Sequence, residues 1–376
     1  MHRAFPLKNT LCDALGKFDL CYSRIIILQG KKNVYIVQGN IDFTNEETEI
    51  LVFQKTTTTL LTSEMQIKLP QNGPEPLCVN NSLPIMKTIL CQKFFDYQIE
   101  EKTRAFGMMG SLSILDGYFL ILIQDAEKIG MILKHEIYKV TRIQVFPIYQ
   151  VTDESKIYKY LNDYLNGDNL FYFSYTYDLT NPLHKNFLLG FKNTVDYWPE
   201  IQKPLFMWNN HVADNLCSTN QEFDKNRWII KLMHGFYEEI KSDVLANTIS
   251  VHLISRRMVQ NSGTRYNRRG LNNMGFAANF VETEQLVINQ TLSSDKKPLL
   301  SSYIQVRGSV PLYWYQETSF LQPKPPIKSR KNVDEFSYGS QKHFGDMISL
   351  YGPKIICLNL MKKAYLSDSH KNQETK

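Results

Sequence analysis

Short runs of β-branched and aromatic residues, separated by turn residues, dominate the first half of the chain. Residues 23–28 and 34–38 are two such runs, and the glycine-containing segment 30–33 between them predicts a β-hairpin. Further runs predict a β-meander with a turn at Asp116-Gly117: residues 112–115, 118–124, 135–140 and 144–148. The first half of the chain is therefore expected to be rich in β-strands.

Apolar residues at helical spacing mark a second kind of segment. Residues 152–165 and 341–351 have this spacing, and Gly352-Pro353 is expected to end the second helix. The aromatic run 171–180 alternates in the manner of a strand. Residues 354–360 have the continuous apolar pattern of a buried strand in an α/β sheet.

The length of 376 residues exceeds that of a typical single domain and predicts two domains. We expect a fold of the α+β or α/β class, with a β-rich domain at residues 1–215 and an incomplete α/β domain at residues 216–376. The net charge of +6 is compatible with anionic lipid or polyphosphate ligands, and equally with many other cytosolic proteins.

The six cysteines are spread along the chain and form no C-x-x-C pair. This spacing indicates neither a disulfide framework nor a zinc site and favours a reducing compartment. The longest apolar runs are much shorter than a membrane span, and the first residues lack an apolar signal core. We therefore expect a cytosolic protein that reaches membranes only from the cytosolic side.

Arginines are concentrated near the middle of the second half of the chain. Five of them lie between residues 256 and 269: Arg256, Arg257, Arg265, Arg268 and Arg269. Arg307 follows at the end of another strand-like run, directly before Gly308. Arginine binds phosphate through a planar pair of N–H donors, and glycines allow a ligand to approach the backbone closely. These six arginines are candidate phosphate ligands, and the alternative is a solvated basic turn.

Glu282 and Glu284 are two residues apart, which places both on one face of a strand. Such a pair can act in acid–base catalysis, bind a metal or orient neighbouring arginines, and the nearby arginines favour the orienting role. No histidine or cysteine has the surroundings of a nucleophile. His234 is expected to be a satisfied core residue and Cys357 an inert buried thiol. No catalytic residue is assigned within the chain, and no metal ligand is evident.

Four segments together resemble the Sac-domain phosphoinositide phosphatases. They are FYFSYTYDLTNPL, SRRMVQNSGTRYNRRG, NFVETEQLV and QVRGSVPLYW, in the order of that family, within a similarity that extends from about residue 17 to residue 362. The resemblance implies a β-rich amino-terminal Sac subdomain followed by an α/β phosphatase subdomain. It also implies hydrolysis of a phosphoric monoester on the inositol ring of a phosphatidylinositol phosphate, through a cysteine phosphoenzyme.

Two further segments resemble the endosomal and vacuolar subgroup of this family. They are ILDGYFLILIQDAEKIGMILKHEIYKV and VPLYWYQETSFLQPKPPIKSR. The resemblance implies removal of the 5-phosphate of phosphatidylinositol 3,5-bisphosphate. It further implies a peripheral location on endosomal or vacuolar membranes, in a complex with a lipid kinase and a helical-repeat scaffold. No cofactor is evident from the residues, and the resemblance allows Mg²⁺.

The chain departs from the family pattern at one place. The motif R-T-N-C-x-D-C-L-D-R-T-N, which supplies the nucleophilic cysteine, does not occur in the sequence. Two explanations stay open: a fragment of a longer gene product, or a non-catalytic Sac protein that binds lipid or serves as a scaffold. A nucleic-acid-binding module is a third hypothesis, and it rests on arginine density alone.

Overall fold

The computed structural model describes residues 25–30, 33–38, 49–54, 86–90, 99–114, 117–149, 155–167, 170–188, 204–219, 228–244, 247–264, 266–289, 299–317, 325–329 and 337–358. These residues are mostly strand, with a few helices, so the expected α+β class is confirmed. None of the helices in these ranges has the length and apolar character needed to cross a membrane. The chain divides into a first unit of residues 1–262 and 280–307 and a second unit of residues 263–279 and 308–376.

A five-stranded antiparallel sheet lies at the start of the first unit. Its strands are β1 (Ile25–Gly30), β2 (Asn33–Gln38), β3 (Glu49–Gln54), β4 (Met86–Leu90) and β5 (Ile99–Ala105), in the order β4-β3-β2-β1-β5. Six apolar side chains of β1–β3 are buried: Ile25, Ile27, Val34, Ile36, Leu51 and Phe53. The hairpin predicted over residues 23–38 is confirmed as the β1–β2 pair.

An eight-stranded antiparallel sheet forms the rest of the first unit. Its strands are β6 (Gly107–Ile114), β7 (Gly117–Ile132), β8 (His135–Tyr149), β9 (Phe171–Phe173), β10 (Met233–Val244), β11 (Asn247–Arg257), β12 (Val281–Asn289) and β13 (Leu299–Arg307). They are adjacent in reverse numerical order, from β13 to β6. The predicted meander is confirmed as β6–β8, although the two runs 135–140 and 144–148 form the single strand β8 and β7 is longer than expected. The pairing of β7 with β8 contains irregularities.

The sheet includes strands from both sides of residue 215, because β9 pairs with both β8 and β10. The division into units therefore does not coincide with the domain boundary predicted between residues 215 and 216.

The described part of the chain contains four helices: α1 (Ser155–Leu165), α2 (Leu183–Leu188), α3 (Asn210–Thr219) and α4 (Tyr338–Tyr351). Helix α3 packs against β6, and Gly110 permits the close approach because a Cβ there would lie 2.4 Å from a backbone atom of Val212. Helix α4 belongs to the second unit, with the short pair β14 (Trp314–Gln316) and β15 (Ile327–Ser329). It ends at Gly352, whose N–H donates to the Ile348 carbonyl, as predicted from Gly352-Pro353.

Two strand predictions are wrong. The aromatic run 171–180 is a strand only over Phe171–Phe173, and the following residues form buried turns. Residues 354–358 of the predicted strand 354–360 are not a strand, and the Ile356 and Leu358 side chains are 96% and 80% exposed. Residues 359 and 360 lie outside the described residues. Cys357 is exposed rather than buried. A strand requires a neighbour that accepts and donates its backbone hydrogen bonds, and no strand of the described residues pairs with this segment.

Candidate phosphate-binding site

Burial alternates along β11 and β12, so successive residues lie on opposite faces of the sheet. The buried residues of these two strands are Ser250, His252, Ile254, Arg256, Glu282, Glu284, Leu286 and Ile288. We call this side of the strands β10–β13 the inner face and the other side the outer face. Arg256 and Arg257, the last two residues of β11, therefore belong to opposite faces.

Arg256 is completely buried on the inner face and forms two ion pairs. Its two terminal nitrogens donate to Oε1 of Glu282 and to Oε2 of Glu284, each at 2.7 Å. It also donates to the carbonyls of Leu179 at 2.6 Å and Asn181 at 3.1 Å. Burial alone would lower the pKa of Arg256, but the charges of Glu284 and Glu282 outweigh it and raise the pKa. Arg256 thus departs from its predicted role, because its donors are directed into the protein and not toward a surface groove.

Glu282 and Glu284 connect Arg256 to the neighbouring strands. Glu282 lies directly opposite Arg256 in the β11–β12 register, and Glu284 lies on the diagonal. Oε1 of Glu284 also accepts from the Leu183 N–H at 2.8 Å and from the Ser302 hydroxyl at 2.7 Å. The two glutamates, predicted to orient arginines, order Arg256 in this structure and join β11, β12 and β13 to the start of α2.

A turn centred on Asp178 supplies the carbonyls that Arg256 contacts. One carboxylate oxygen of Asp178 accepts from the Thr180 N–H at 2.9 Å and from the Thr180 hydroxyl at 2.5 Å. The other oxygen accepts from the Asn181 amide at 3.0 Å and from the Lys231 ammonium at 2.9 Å. The side chains of Asp178 and Lys231 are only 10% and 8% exposed. These bonds favour a turn at Asp178 over the continued strand that was predicted there.

The carboxylates beside the arginines do not fit a magnesium ion. Glu282 and Glu284 are buried and engaged by Arg256, whereas Mg²⁺ usually retains several water molecules around it. Within the described ranges, no group of three or more histidine, cysteine, aspartate or glutamate side chains is arranged to hold a metal. Binding of Mg²⁺, which the family resemblance allows, stays a prediction.

Arg257 lies on the outer face beside a group of aromatic rings. Its guanidinium carbon is 5.8 Å from the centroid of the Trp208 ring, and its carbonyl accepts from the Trp208 indole N–H at 2.7 Å. The His234 ring lies 4.5 Å from the Trp208 ring and 5.2 Å from the Phe171 ring. Burial and then the charge of Arg257 lower the pKa of His234. Nδ1 of His234 is buried without a hydrogen-bond partner, so this residue is not the satisfied core histidine that was predicted.

Arg307 lies on the same outer face, at the end of β13. Val281 of β12 is opposite Arg257 on one side and opposite Arg307 on the other, so all three side chains share the face. One strand separates the two arginines, which places their backbones about 10 Å apart. Arg257 is half-buried and Arg307 is exposed. We call these two residues the Arg257–Arg307 pair.

Arg269 lies in the second unit and is held by its own neighbours. Its Nε donates to Oε1 of Gln316 at 2.9 Å. Its guanidinium carbon lies 5.3 Å from the centroid of the Tyr266 ring and 5.5 Å from that of the Trp314 ring. These contacts orient Arg269 through cation–π attraction and one hydrogen bond.

Arg268 is exposed in the second unit, and Arg265 lies outside the described residues. The arginines that were predicted as one cluster thus fall into two units, with Arg256, Arg257 and Arg307 in the first and Arg268 and Arg269 in the second. Contact of Arg265, Arg268 and Arg269 with a phosphate stays a prediction.

Three residues that shape the site were not singled out from the sequence: Asp178, Lys231 and Trp208. The Asp178-Leu-Thr-Asn-Pro segment carries the signal of an Asp-centred turn, which would have identified Asp178. Lys231 contacts Asp178, 53 residues away in the sequence, and Trp208 contacts Arg257, 49 residues away. No local sequence pattern indicates either contact.

Comparison with known proteins supports the family. The SacI homology domain matches residues 106–376. "Phosphatidylinositol-3-phosphatase SAC1" of Arabidopsis thaliana is 33% identical over 267 residues, which cover 69% of this chain and 28% of that protein. "Polyphosphoinositide phosphatase" of Schizosaccharomyces pombe is 30% identical over 366 residues, covering 94% of this chain and 41% of that protein. "Phosphatidylinositol-3-phosphatase SAC1-B" of Danio rerio is 32% identical over 276 residues, which cover 68% of this chain and 43% of that protein.

The chain spans less than half the length of these three relatives. The matched region includes the eight-stranded sheet and every segment on which the resemblance rests. The resemblance is confirmed, and the chain belongs to the Sac-domain family.

Proposed function

We propose that this chain binds the phosphorylated inositol ring of a phosphatidylinositol phosphate, as part of a Sac-family phosphoinositide phosphatase. The observation that carries the proposal is the Arg257–Arg307 pair at the shared end of two strands. The names of the similar proteins, which are phosphoinositide phosphatases, support the substrate class.

The Arg257–Arg307 pair has the chemistry that such a ligand requires. A guanidinium group binds phosphate through two parallel N–H donors and keeps its charge at any ordinary pH. Two guanidinium groups held apart by one strand suit a ring with two phosphates better than a single phosphate. Contact with the Trp208 ring restricts Arg257, so less side-chain entropy is lost when a ligand binds.

We further propose that the substrate is phosphatidylinositol 3,5-bisphosphate and that its 5-phosphate is removed. The support is the resemblance of residues 114–140 and 310–330 to the endosomal and vacuolar subgroup. In that subgroup a cysteine thiolate attacks the phosphorus and breaks its bond to the inositol oxygen, to which an aspartate supplies a proton. Water then attacks the phosphorus of the phosphoenzyme, which releases inorganic phosphate and regenerates the cysteine. On the same basis we propose a peripheral location on endosomal or vacuolar membranes and association with a lipid kinase and a helical-repeat scaffold.

A non-catalytic Sac protein that binds lipid or serves as a scaffold is the second candidate. It shares the Sac family membership and the proposed lipid site with the first candidate and differs from it only in turnover. This candidate predicts lipid binding without phosphate release.

Vesicle flotation tests the binding site. The chain is mixed with neutral vesicles that contain phosphatidylinositol 3,5-bisphosphate, and the variants are Arg257→Gln, Arg307→Gln and, as a matched control, Arg142→Gln at an exposed position of β8. Loss of one charge-assisted contact weakens binding about 10-fold or more. We expect this loss for the first two variants and wild-type binding for Arg142→Gln. Equal binding by all four proteins, or equal competition by a nucleic acid, would overturn the assignment.

Phosphate release from short-chain phosphatidylinositol 3,5-bisphosphate separates the two candidates. Release by the chain at a rate above that of the uncatalysed reaction contradicts the non-catalytic candidate. Retained binding without release, both by the chain and by the full-length product of its gene, supports it. Binding and release are measured on the same preparation, so that inactive protein is recognised by its failure to bind.

A further inference from the structure

His234 extends the row of side chains that contains the Arg257–Arg307 pair. Gly235 of β10 is opposite Arg256 of β11, so His234 and Arg257 come next along these two antiparallel strands. On its other side, His234 is opposite Phe171 of β9. The row across the outer face, from β9 to β13, is Phe171, His234, Arg257, Val281 and Arg307. Adjacent strands are about 4.8 Å apart, so His234 is the neighbour of Arg257 in this row.

Two aromatic rings fix the position of the His234 ring. The centroid of the Trp208 ring is 4.5 Å from it, and that of the Phe171 ring is 5.2 Å from it. The Trp208 ring also contacts the guanidinium group of Arg257, and its indole N–H donates to the Arg257 carbonyl. Because one side chain holds both His234 and Arg257, little side-chain entropy is lost when the two bind a common ligand.

The two ring nitrogens of His234 have different surroundings. Nδ1 is buried and has no hydrogen-bond partner among the described residues. Nε2 is not buried in this way, and within the described part of the chain it forms no hydrogen bond. A buried N–H without an acceptor is costly, so the single proton of the neutral ring belongs on Nε2. Nε2–H is therefore a donor that a ligand can reach.

The same surroundings keep the His234 ring neutral. A second proton would place an N–H at the buried Nδ1 and a positive charge next to Arg257. Burial first, and then the charge of Arg257, accordingly lower the pKa of His234 below its ordinary value of 6.5. At neutral pH His234 is thus a hydrogen-bond donor without a charge.

We propose that His234 is a further ligand of the candidate site, and that its Nε2–H donates to the same inositol phosphate that Arg257 binds. This inference rests on the proposed function. A phosphate has several acceptor oxygens and can accept from a guanidinium and an imidazole at once. Arg307 lies two strands from Arg257 on the side away from His234. The two phosphates of a bisphosphate therefore meet different donors: Arg257 with His234 for one, and Arg307 for the other.

Calorimetric titration with short-chain phosphatidylinositol 3,5-bisphosphate tests this inference on His234→Gln and His234→Asn. The amide nitrogen of glutamine can take the place of Nε2 of histidine, whereas that of asparagine takes the place of Nδ1. We expect wild-type affinity for His234→Gln and affinity about 10-fold or more weaker for His234→Asn, which has no donor at the position of Nε2. The control His211→Asn, at an exposed position of α3, should bind as wild type does.

A double-mutant cycle separates a shared phosphate from a change in packing. Two side chains that contact one phosphate depend on each other, so His234→Asn should weaken binding less in the Arg257→Gln variant than in the wild type. Its effect should be unchanged in the Arg307→Gln variant. Melting temperatures of all variants identify the temperature range in which each is folded, and the titrations are made within it.

Three results would overturn the inference. The first is wild-type binding by His234→Asn while Arg257→Gln binds more weakly, which leaves the proposed function intact. The second is an equal loss in His234→Gln and His234→Asn, which would show that the ring acts by packing and not as a donor. The third is displacement of the lipid by inorganic phosphate at the same concentration, which would assign the contact to free phosphate. Wild-type binding by Arg257→Gln would instead refute the proposed function itself.

Discussion

Replacement of Arg256 by methionine tests whether this residue is a structural ion-pair centre or a phosphate ligand. The substitution removes four hydrogen bonds, two to the carboxylates of Glu282 and Glu284 and two to backbone carbonyls. It leaves two negative charges next to each other in a site that is closed to water. Removal of one partner of a buried ion pair costs about 3–5 kcal/mol. The expected loss is a large part of the roughly 5–15 kcal/mol that stabilises a typical domain.

Urea unfolding of the wild type and variants measures this loss. The matched variant is Arg257→Met, one residue further along the same strand on the outer face, where the contact with Trp208 is worth about 0.5–1 kcal/mol. A third variant combines Arg256→Met with Glu282→Leu and Glu284→Gln, so that glutamine still accepts from the backbone N–H at the start of α2. Because no unpaired charge remains, this variant should recover more than half of the loss.

A loss for Arg256→Met no greater than that for Arg257→Met would refute the reasoning. Failure of the triple variant to recover stability would show that the cost arises from packing and not from unpaired charge. If Arg256→Met lost as much lipid binding as Arg257→Met while its free energy of unfolding stayed unchanged, Arg256 would be a phosphate ligand after all.

Two further predictions concern stability. Burial lowers the pKa of His252 below its ordinary value of 6.5, so the unfolded state binds protons more readily than the folded state. The free energy of unfolding should therefore fall as the pH drops below about 6.5, with a smaller slope in His252→Gln, measured by urea unfolding across this pH range. Gly270 has a φ of 62°, and a Cβ there would lie 2.4 Å from a backbone oxygen, so Gly270→Ala should lower the melting temperature of the second unit, corresponding to about 1–3 kcal/mol. Gly345→Ala in α4, where a Cβ meets nothing within 4 Å, should raise the free energy of unfolding by about 0.5–1 kcal/mol. Stabilisation by Gly270→Ala or destabilisation by Gly345→Ala would contradict these expectations.

The features that were predicted correctly from the sequence are local ones. The β1–β2 hairpin and the β6–β8 meander follow from alternating residues and turn signals, which act between neighbours in the chain. The end of α4 follows from Gly352 for the same reason. Family membership followed from several segments that occur in a fixed order.

The features that were missed depend on tertiary contacts. Arg256 and Arg257 are chemically identical neighbours, and strand alternation places them on opposite faces, but only the packing of the sheet decides which face is buried. Part of the predicted strand 171–180 is instead a turn in which Lys231 and Thr180 hold Asp178. No local pattern contains that information.

The central claim is that Arg257 and Arg307 together bind two phosphates on one inositol ring. Isothermal titration calorimetry of Arg257→Gln and Arg307→Gln with short-chain phosphatidylinositol 3,5-bisphosphate and with short-chain phosphatidylinositol 3-phosphate tests it most directly. Since each arginine contacts a different phosphate, both variants should bind the bisphosphate about 10-fold or more weakly, whereas only one of them should bind the monophosphate more weakly. Wild-type affinity of either variant for the bisphosphate would contradict the claim.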